Sequence, residues 1–317
     1  MGTVLQVTLC GPDPATLSRA ATGVLATVDM LDEALTTFSE SSPLTQLNRA
    51  AGAGPVRLPQ PTLAALRSAA RLARTTQGTF DPTVGPLVEL WRAAQRAGQW
   101  PTAAARARAR EAVGIDGLEI NQETARLSRP GARIDLGGIG KGWALDRTLP
   151  DLQAVPGLRA LLDFGGSSHH AIGGPPGEEL AGTWRVAIAD PEGHEIAIVR
   201  LRDAALSVSA SRGQVWRIGE RSVGHVMDPR TGETVESARV AAVVAPDGAT
   251  AEAFSTALVV WGVAGLAPLT RGVAGVEALV VEAGGEVSLS EGASAFELSG
   301  RNATSVKGPP PRPAGRD

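Results

Sequence analysis

Three stretches of this 317-residue chain put polar side chains and turn-makers where a plain core segment would not. The first is ARIDLGGIGKGWALD, residues 132–146. Four glycines within six positions, Gly137, Gly138, Gly140 and Gly142, let backbone N–H groups approach an anion, and Lys141 adds a positive charge. This is no P-loop: Asp135 stands where the first glycine belongs, and Gly142 follows the lysine where Ser or Thr is needed. Nor is it a dinucleotide fingerprint, because Gly138, Gly140 and Gly142 alternate while Lys141 and Trp143 crowd the helix start. The plain alternative is a tight strand-to-helix turn.

The second stretch, APDGATAEAFSTALVVWG, sets Glu252 and Thr256 four residues apart on one helix face. A carboxylate and a hydroxyl one turn apart suit a hard cation such as Mg²⁺. Alternatively Thr256 bonds its own helix backbone and Glu252 faces water. The third, GHVMDPRTG, holds His225 three residues before Asp228. Its histidine is either a proton-handling group or a partner of the turn carboxylate. Asp81, in QGTFDPTVGPLVELW, is followed by proline as Asp228 is, and both also suit plain turns. His169, His170 and His194 lack ligand-like spacing and are expected on the surface or in loops.

Composition narrows the field. A net charge of −3 and the lack of a basic run interleaved with aromatics argue against a nucleic-acid partner. One cysteine, Cys10, excludes an internal disulfide framework and a cysteine metal site. With no tyrosine, any stacking falls to six tryptophans and five phenylalanines. No apolar run approaches ~20 residues, so no membrane-spanning segment is expected. No secretory signal is visible, which places the chain as written in the cytoplasm, or at the cell envelope if a leader precedes it.

Residues 3–9 read as a strand. A long helix follows Asp13-Pro14, with Leu17, Ala21, Val24, Val28, Leu31, Leu35 and Phe38 on its buried face. Further helices are predicted over 61–76, after Pro101 as far as Gly114, and over about 250–261. Strands are predicted at 159–166, 183–190, 195–201, 204–210 and 238–245, with a closing pair across Gly284-Gly285. Separate runs of helices and strands point to an α+β fold, one domain over 1–300. The Pro- and Gly-rich tail 301–317 is expected to be disordered.

In their order along the chain, GTFDPTVGPLVELW, IDLGGIGKGWALD, GHVMDPRTG and AEAFSTALVVWG resemble the ApbE family, the FAD:protein FMN transferases. LTTFSESSPLTQLN and the opening MGT are similar to that family as well, so the likeness runs from Met1 to about 290. It implies a sandwich of mixed sheets covered by helices, in two halves resembling T-folds. It further implies FAD as substrate, Mg²⁺ on the pyrophosphate, and transfer of FMN to a threonine of an acceptor protein with release of AMP. By position, Met1, Phe38, Thr79, Phe80, Asp81, Asp135, Lys141 and Asp228 are then expected at the flavin nucleotide. Gly140, Glu252, Ser255 and Thr256 are expected at the metal, the glycine and serine through their carbonyls. His225 falls on the histidine that assists transfer.

The chain departs from that pattern in several places. Glu252 replaces an aspartate, Phe38 lacks a tyrosine hydroxyl, and Ser167-Ser168 follow DFGG where an acidic or amide residue is usual. SASRG at 209–213 also differs from the family's usual Ser-Gly segment. Two other functions stay open on the sequence: hydrolysis of FAD to FMN and AMP, and non-catalytic flavin binding.

Overall fold

The computed structural model describes residues 2–177, 182–235, 238–271, 273–299 and 303–305. The chain opens with β1 (Leu5–Cys10), α1 (Pro14–Leu35), α2 (Pro43–Arg49), β2 (Val56–Arg57), α3 (Gln60–Thr75), α4 (Gly85–Ala97) and α5 (Ala103–Glu111). A small sheet is completed by β3 (Leu118–Ile120) and β4 (Thr124–Leu127), and α6 (Gly140–Gln153) follows. Then come β5 (Arg159–Phe164), β6 (Ser168–Ile172), β7 (Trp184–Ala189), β8 (Glu195–Leu201), β9 (Ala205–Ala210), β10 (Val215–Ile218) and β11 (Arg221–Gly224). The chain closes with β12 (Ala238–Ala245), α7 (Gly248–Trp261), α8 (Leu266–Thr270), β13 (Glu277–Glu282), β14 (Val287–Leu289), β15 (Phe296–Leu298) and β16 (Ala303–Ser305).

An eight-stranded sheet, ordered β1-β5-β6-β9-β12-β13-β14-β16, forms the middle layer. Its neighbours pair antiparallel except β14 and β16, which are parallel. Strand β12 shows how the layers form. Ala241, Val243 and Ala245 face the helical core, while Val240, Ala242 and Val244 face the opposite core. That alternation is the two-residue period of a strand buried on both faces. Helices α1, α3, α6 and α7 make up the layer on the first side. The sheet β15-β8-β7 covers the second, through Val186, Ile188, Val199, Leu201 and Phe296. The architecture is α+β. A third cluster joins α4 to the β10–β11 hairpin through Leu87, Trp91, Trp216, Ile218 and Val223.

Helix α1 starts as expected, with the Asp13 carboxylate accepting from the Thr16 N–H at 2.9 Å and Pro14 just inside. It ends sooner than its apolar spacing suggests. Thr36 turns to extended backbone, so Phe38 leaves the helix and is 84% exposed rather than buried. His169 and His170 also correct the sequence reading: both lie on β6, buried throughout, between β5 and β9. Residues 248–270 are long and apolar enough in composition to cross a membrane. In the fold the α7 part is core: within α7 only Thr256 and Trp261 escape burial, because the helix packs on β9 and β12. In the tail, residues 303–305 pair with β14. The rest of 301–317 and Met1 lie outside the described residues.

Candidate functional site

Helices α6 and α7 set the site's frame. Helix α6 begins at Gly140 with no side-chain cap. The start of α7 is held twice. Asp247 accepts from the Thr250 N–H at 2.8 Å, and Asp146 of α6 accepts from the Gly248 and Ala249 amides at 2.7 and 3.0 Å. The two helices cross at Gly142 and Gly248, where there is no room for side chains.

This crossing brings Lys141 and Glu252 together, Nζ to Oε1 at 3.7 Å. Ser168 donates to the same Glu252 oxygen at 2.5 Å, and Lys141 donates to Ser167 Oγ at 2.5 Å. Glu252 Oε2 is buried and has no hydrogen-bond partner among the described residues. Burial pushes the Glu252 carboxyl above its usual range. The Lys141 charge, the Ser168 hydroxyl and the Gly142 amide pull it back, and Asp146 adds to the rise.

One turn on, Thr256 Oγ1 lies 3.5 Å from Ser209 Oγ on β9. Ser255, expected to lend its carbonyl, has a fully buried hydroxyl that meets Ser207 and Ser209 at 3.0 and 2.8 Å. The glycine loop slots between two of these elements. A Cβ on Gly138 would stand 3.1 Å from Phe80 Cε2 and 3.6 Å from Thr256 Oγ1. Around Gly140 the space is open, with nothing within 4 Å of a Cβ built there. Among the described residues no three His, Cys, Asp or Glu group to hold a metal. The orphaned Glu252 oxygen and the Thr256 hydroxyl, one turn apart on α7, are nevertheless oxygen donors of the kind a hard cation takes, with phosphate or water to complete its shell.

Four residues expected at the nucleotide spend their polar side-chain atoms within the protein. Thr79 Oγ1 donates to Thr76 O at 2.7 Å. Asp81 accepts from the Thr83 N–H and hydroxyl at 2.8 and 2.7 Å, and from the Ile115 N–H at 3.2 Å. Burial raises the Asp81 pKa against those hydrogen bonds. Asp135 accepts from the Gly137 N–H at 2.8 Å and so folds the loop back on itself. Asp228 takes Arg230 at 2.8 and 2.9 Å, so its carboxylate serves the turn rather than His225. Phe80 is buried against Gly138 and joins the core.

His225 stands at the base of the β10–β11 hairpin. Its backbone N–H donates to Gln214 O at 3.1 Å, and its Nδ1 accepts from the Gln214 N–H at 3.3 Å. Burial lowers its pKa and the Arg92 charge adds to that, while the Gln214 backbone opposes it. The Arg92 guanidinium also lies 5.9 Å from the Phe38 ring centroid, which links Phe38 to the histidine's surroundings. The path from His225 to β9 is short: His225 Cε1 is 3.7 Å from a Cβ built on Gly213, and the Gly213 N–H donates to Ala210 O at the end of β9. The structure thus gathers Phe80, Gly140, Lys141, Glu252, Ser255 and Thr256 in one place, with His225 and Phe38 at one end. Sequence reasoning assigned no role to Ser168, Ser209, Asp146 or Arg92. Their signal is tertiary, as in the 102 residues that separate Asp146 from Gly248.

The sequence profile of the ApbE family matches residues 1–280. An FAD:protein FMN transferase of Klebsiella pneumoniae is 31% identical over 273 residues, covering 83% of this chain and 77% of that protein. Among solved structures, an ApbE protein from Thermotoga maritima superposes with a TM-score of 0.80 at 24% identity, covering 92% of this chain and 94% of that one. The flavin transferase ApbE from Vibrio cholerae gives 0.74 at 24% identity, covering 89% and 91%. These two likenesses are of fold. With a sequence match over residues 1–280, a shared architecture and the ordered motifs, the chain belongs to the ApbE family.

Proposed function

We propose that the protein is a Mg²⁺-dependent FAD:protein FMN transferase. The observation that carries this is the partnerless, buried Oε2 of Glu252, set beside Lys141 and one turn from Thr256 on α7. Buried carboxylate oxygens are as a rule hydrogen-bonded or bound to a cation. The names of the relatives give the reading its substrates.

In this reading the FAD pyrophosphate lies at the open start of α6, over Gly140 and beside Lys141. Glu252, Thr256 and the carbonyls of Gly140 and Ser255 would hold the divalent cation, whose contribution is to neutralise charge on the phosphates. His225 takes the proton of the acceptor threonine. The threonine oxygen bonds to the FMN phosphorus, the bond from that phosphorus to the bridging oxygen breaks, and AMP leaves with the bridging oxygen.

The test is incubation of the protein with FAD and an acceptor-containing extract, with Mg²⁺ or with EDTA. Released AMP is read by chromatography and covalent flavin by in-gel fluorescence. Mg²⁺-dependent AMP together with fluorescent protein supports transfer. AMP with only free FMN assigns hydrolysis instead, and no AMP in either condition overturns catalysis.

A further inference from the structure

We propose that the β10–β11 hairpin is the docking element for the acceptor, and that an extended acidic segment of the acceptor adds as a strand along the outer edge of β10. The proposal rests on the transferase reading and names the partner's chemistry. Among the described residues the hairpin pairs with no other strand. Its base is the Gln214–His225 pair, where the His225 N–H bonds Gln214 O. Antiparallel ladders alternate, so Trp216 with Val223 and Ile218 with Arg221 bond inward. The N–H and C=O of Val215 and Arg217 therefore point to the open edge of β10. The edge of β11 is partly covered, since the Arg212 guanidinium donates to Ser222 O at 3.4 Å.

The side chains are divided in the same way. Trp216 and Ile218 are buried toward α4, while Val215, 48% exposed, and Arg217 face out. Residues 212–224 carry three arginines, Arg212, Arg217 and Arg221, against the single Glu220, in a chain whose net charge is −3. Arg92 adds a fourth positive charge close to His225. The outward-facing Arg217 on this open edge, with Arg92 near His225, favours an extended segment bearing carboxylates, through main-chain pairing and charge complementarity. Strands lie ~4.8 Å apart and rise ~3.3 Å per residue. A segment seated on β10 and running toward Gln214 thus delivers its next few residues to His225.

The experiment measures binding of two labelled threonine peptides to the full-length, FAD-loaded protein by fluorescence anisotropy. One carries an aspartate-rich extension and the other a lysine-rich one. The expected result is at least tenfold tighter binding of the acidic peptide, with Arg217→Glu reversing the order and leaving FAD affinity unchanged. Val215→Pro, which removes one outward N–H, should weaken the acidic peptide without changing the preference for its sign. Equal binding of both peptides, or an unaltered preference in R217E, overturns the proposal. Binding is read apart from chemistry: absent AMP release with the peptide preference intact would sink the transferase reading and leave the docking surface standing.

Discussion

Gly142 and Gly248 meet backbone to backbone, so that a Cβ on Gly142 would lie 2.2 Å from the Gly248 carbonyl oxygen. No rotamer relieves such a contact, and the helices must separate. Gly142→Ala should cost about 1–3 kcal/mol, as overpacking does, and weaken FAD binding by shifting Lys141 relative to Glu252. Gly140→Ala, with open space around it, should leave the melting temperature unchanged and affect FAD binding alone. Thermal unfolding and flavin fluorescence titration of both variants check this pair.

Glu252 separates charge from shape. Glu252→Gln keeps the volume and an acceptor for Ser168 but removes the charge, so the Mg²⁺ concentration for half-maximal AMP release should rise markedly. Glu252→Asp, with the family's shorter carboxylate, should keep its response to Mg²⁺. Superimposable Mg²⁺ curves for wild type and both variants would remove Glu252 from the cation's shell.

His225→Ala should leave FAD binding intact and slow transfer by roughly 10²–10⁴-fold, the range for a lost general base. The ring lies against the Gln214 backbone, whose N–H can donate to the neutral form and whose carbonyl can accept from the charged form, so a donor role also needs testing. His225→Gln keeps a donor and cannot titrate. A proton-taking histidine predicts that H225Q is as slow as H225A, whereas a rate within about tenfold of wild type would assign donation.

The pH profile follows from burial. A base must be neutral, and burial with Arg92 nearby holds the His225 pKa below its usual value of 6.5. Transfer should therefore stay level as pH falls through 6.5 and drop only below it. Arg92→Gln removes a like charge, raises the histidine's pKa and should move that drop to higher pH. In stability the sign is the same. The unfolded chain takes the proton first, so this group's contribution is intact above pH 6.5 and is lost as pH falls from there through the folded value.

Phe38→Ala tests an exposed aromatic. At 84% exposure its removal should change stability by less than about 0.5 kcal/mol. If its ring stacks on the flavin, FAD affinity should fall by about tenfold, read by fluorescence titration. Unchanged affinity would leave Phe38 as a partner of Arg92 only.

Elements with a strong apolar period are legible in the sequence. The Val24-Val28-Leu31-Leu35 ladder of α1 and the apolar run of β12 need no tertiary information. The β10–β11 hairpin is not legible, because its outward face mixes Val215 with arginine and serine and its apolar face is only a few residues long. His169 and His170 evade a sequence reading because what lies beside a polar pair inside a sheet is set by the fold, here the carboxylates of Asp163 at 3.5 Å and Asp146 at 3.4 Å. Within the site, residue types mark Glu252, Thr256 and Lys141. That Asp81 and Asp228 are consumed by turns depends on Thr83, Ile115 and Arg230 reaching them.

The clasp of Asp146 on Gly248 and Ala249 has a consequence for how the protein is assembled. It joins residues 102 and 103 positions apart, and strands β5 to β12 lie within that loop. Closing so long a loop carries an entropic cost that only the finished sheet offsets. Lys141 enters on one side of the closure and Glu252 and Thr256 on the other. A chain cut between β6 and β12 would then hold the parts of a site on two pieces and a working site on neither. Affinity for flavin becomes an all-or-none report on completed folding.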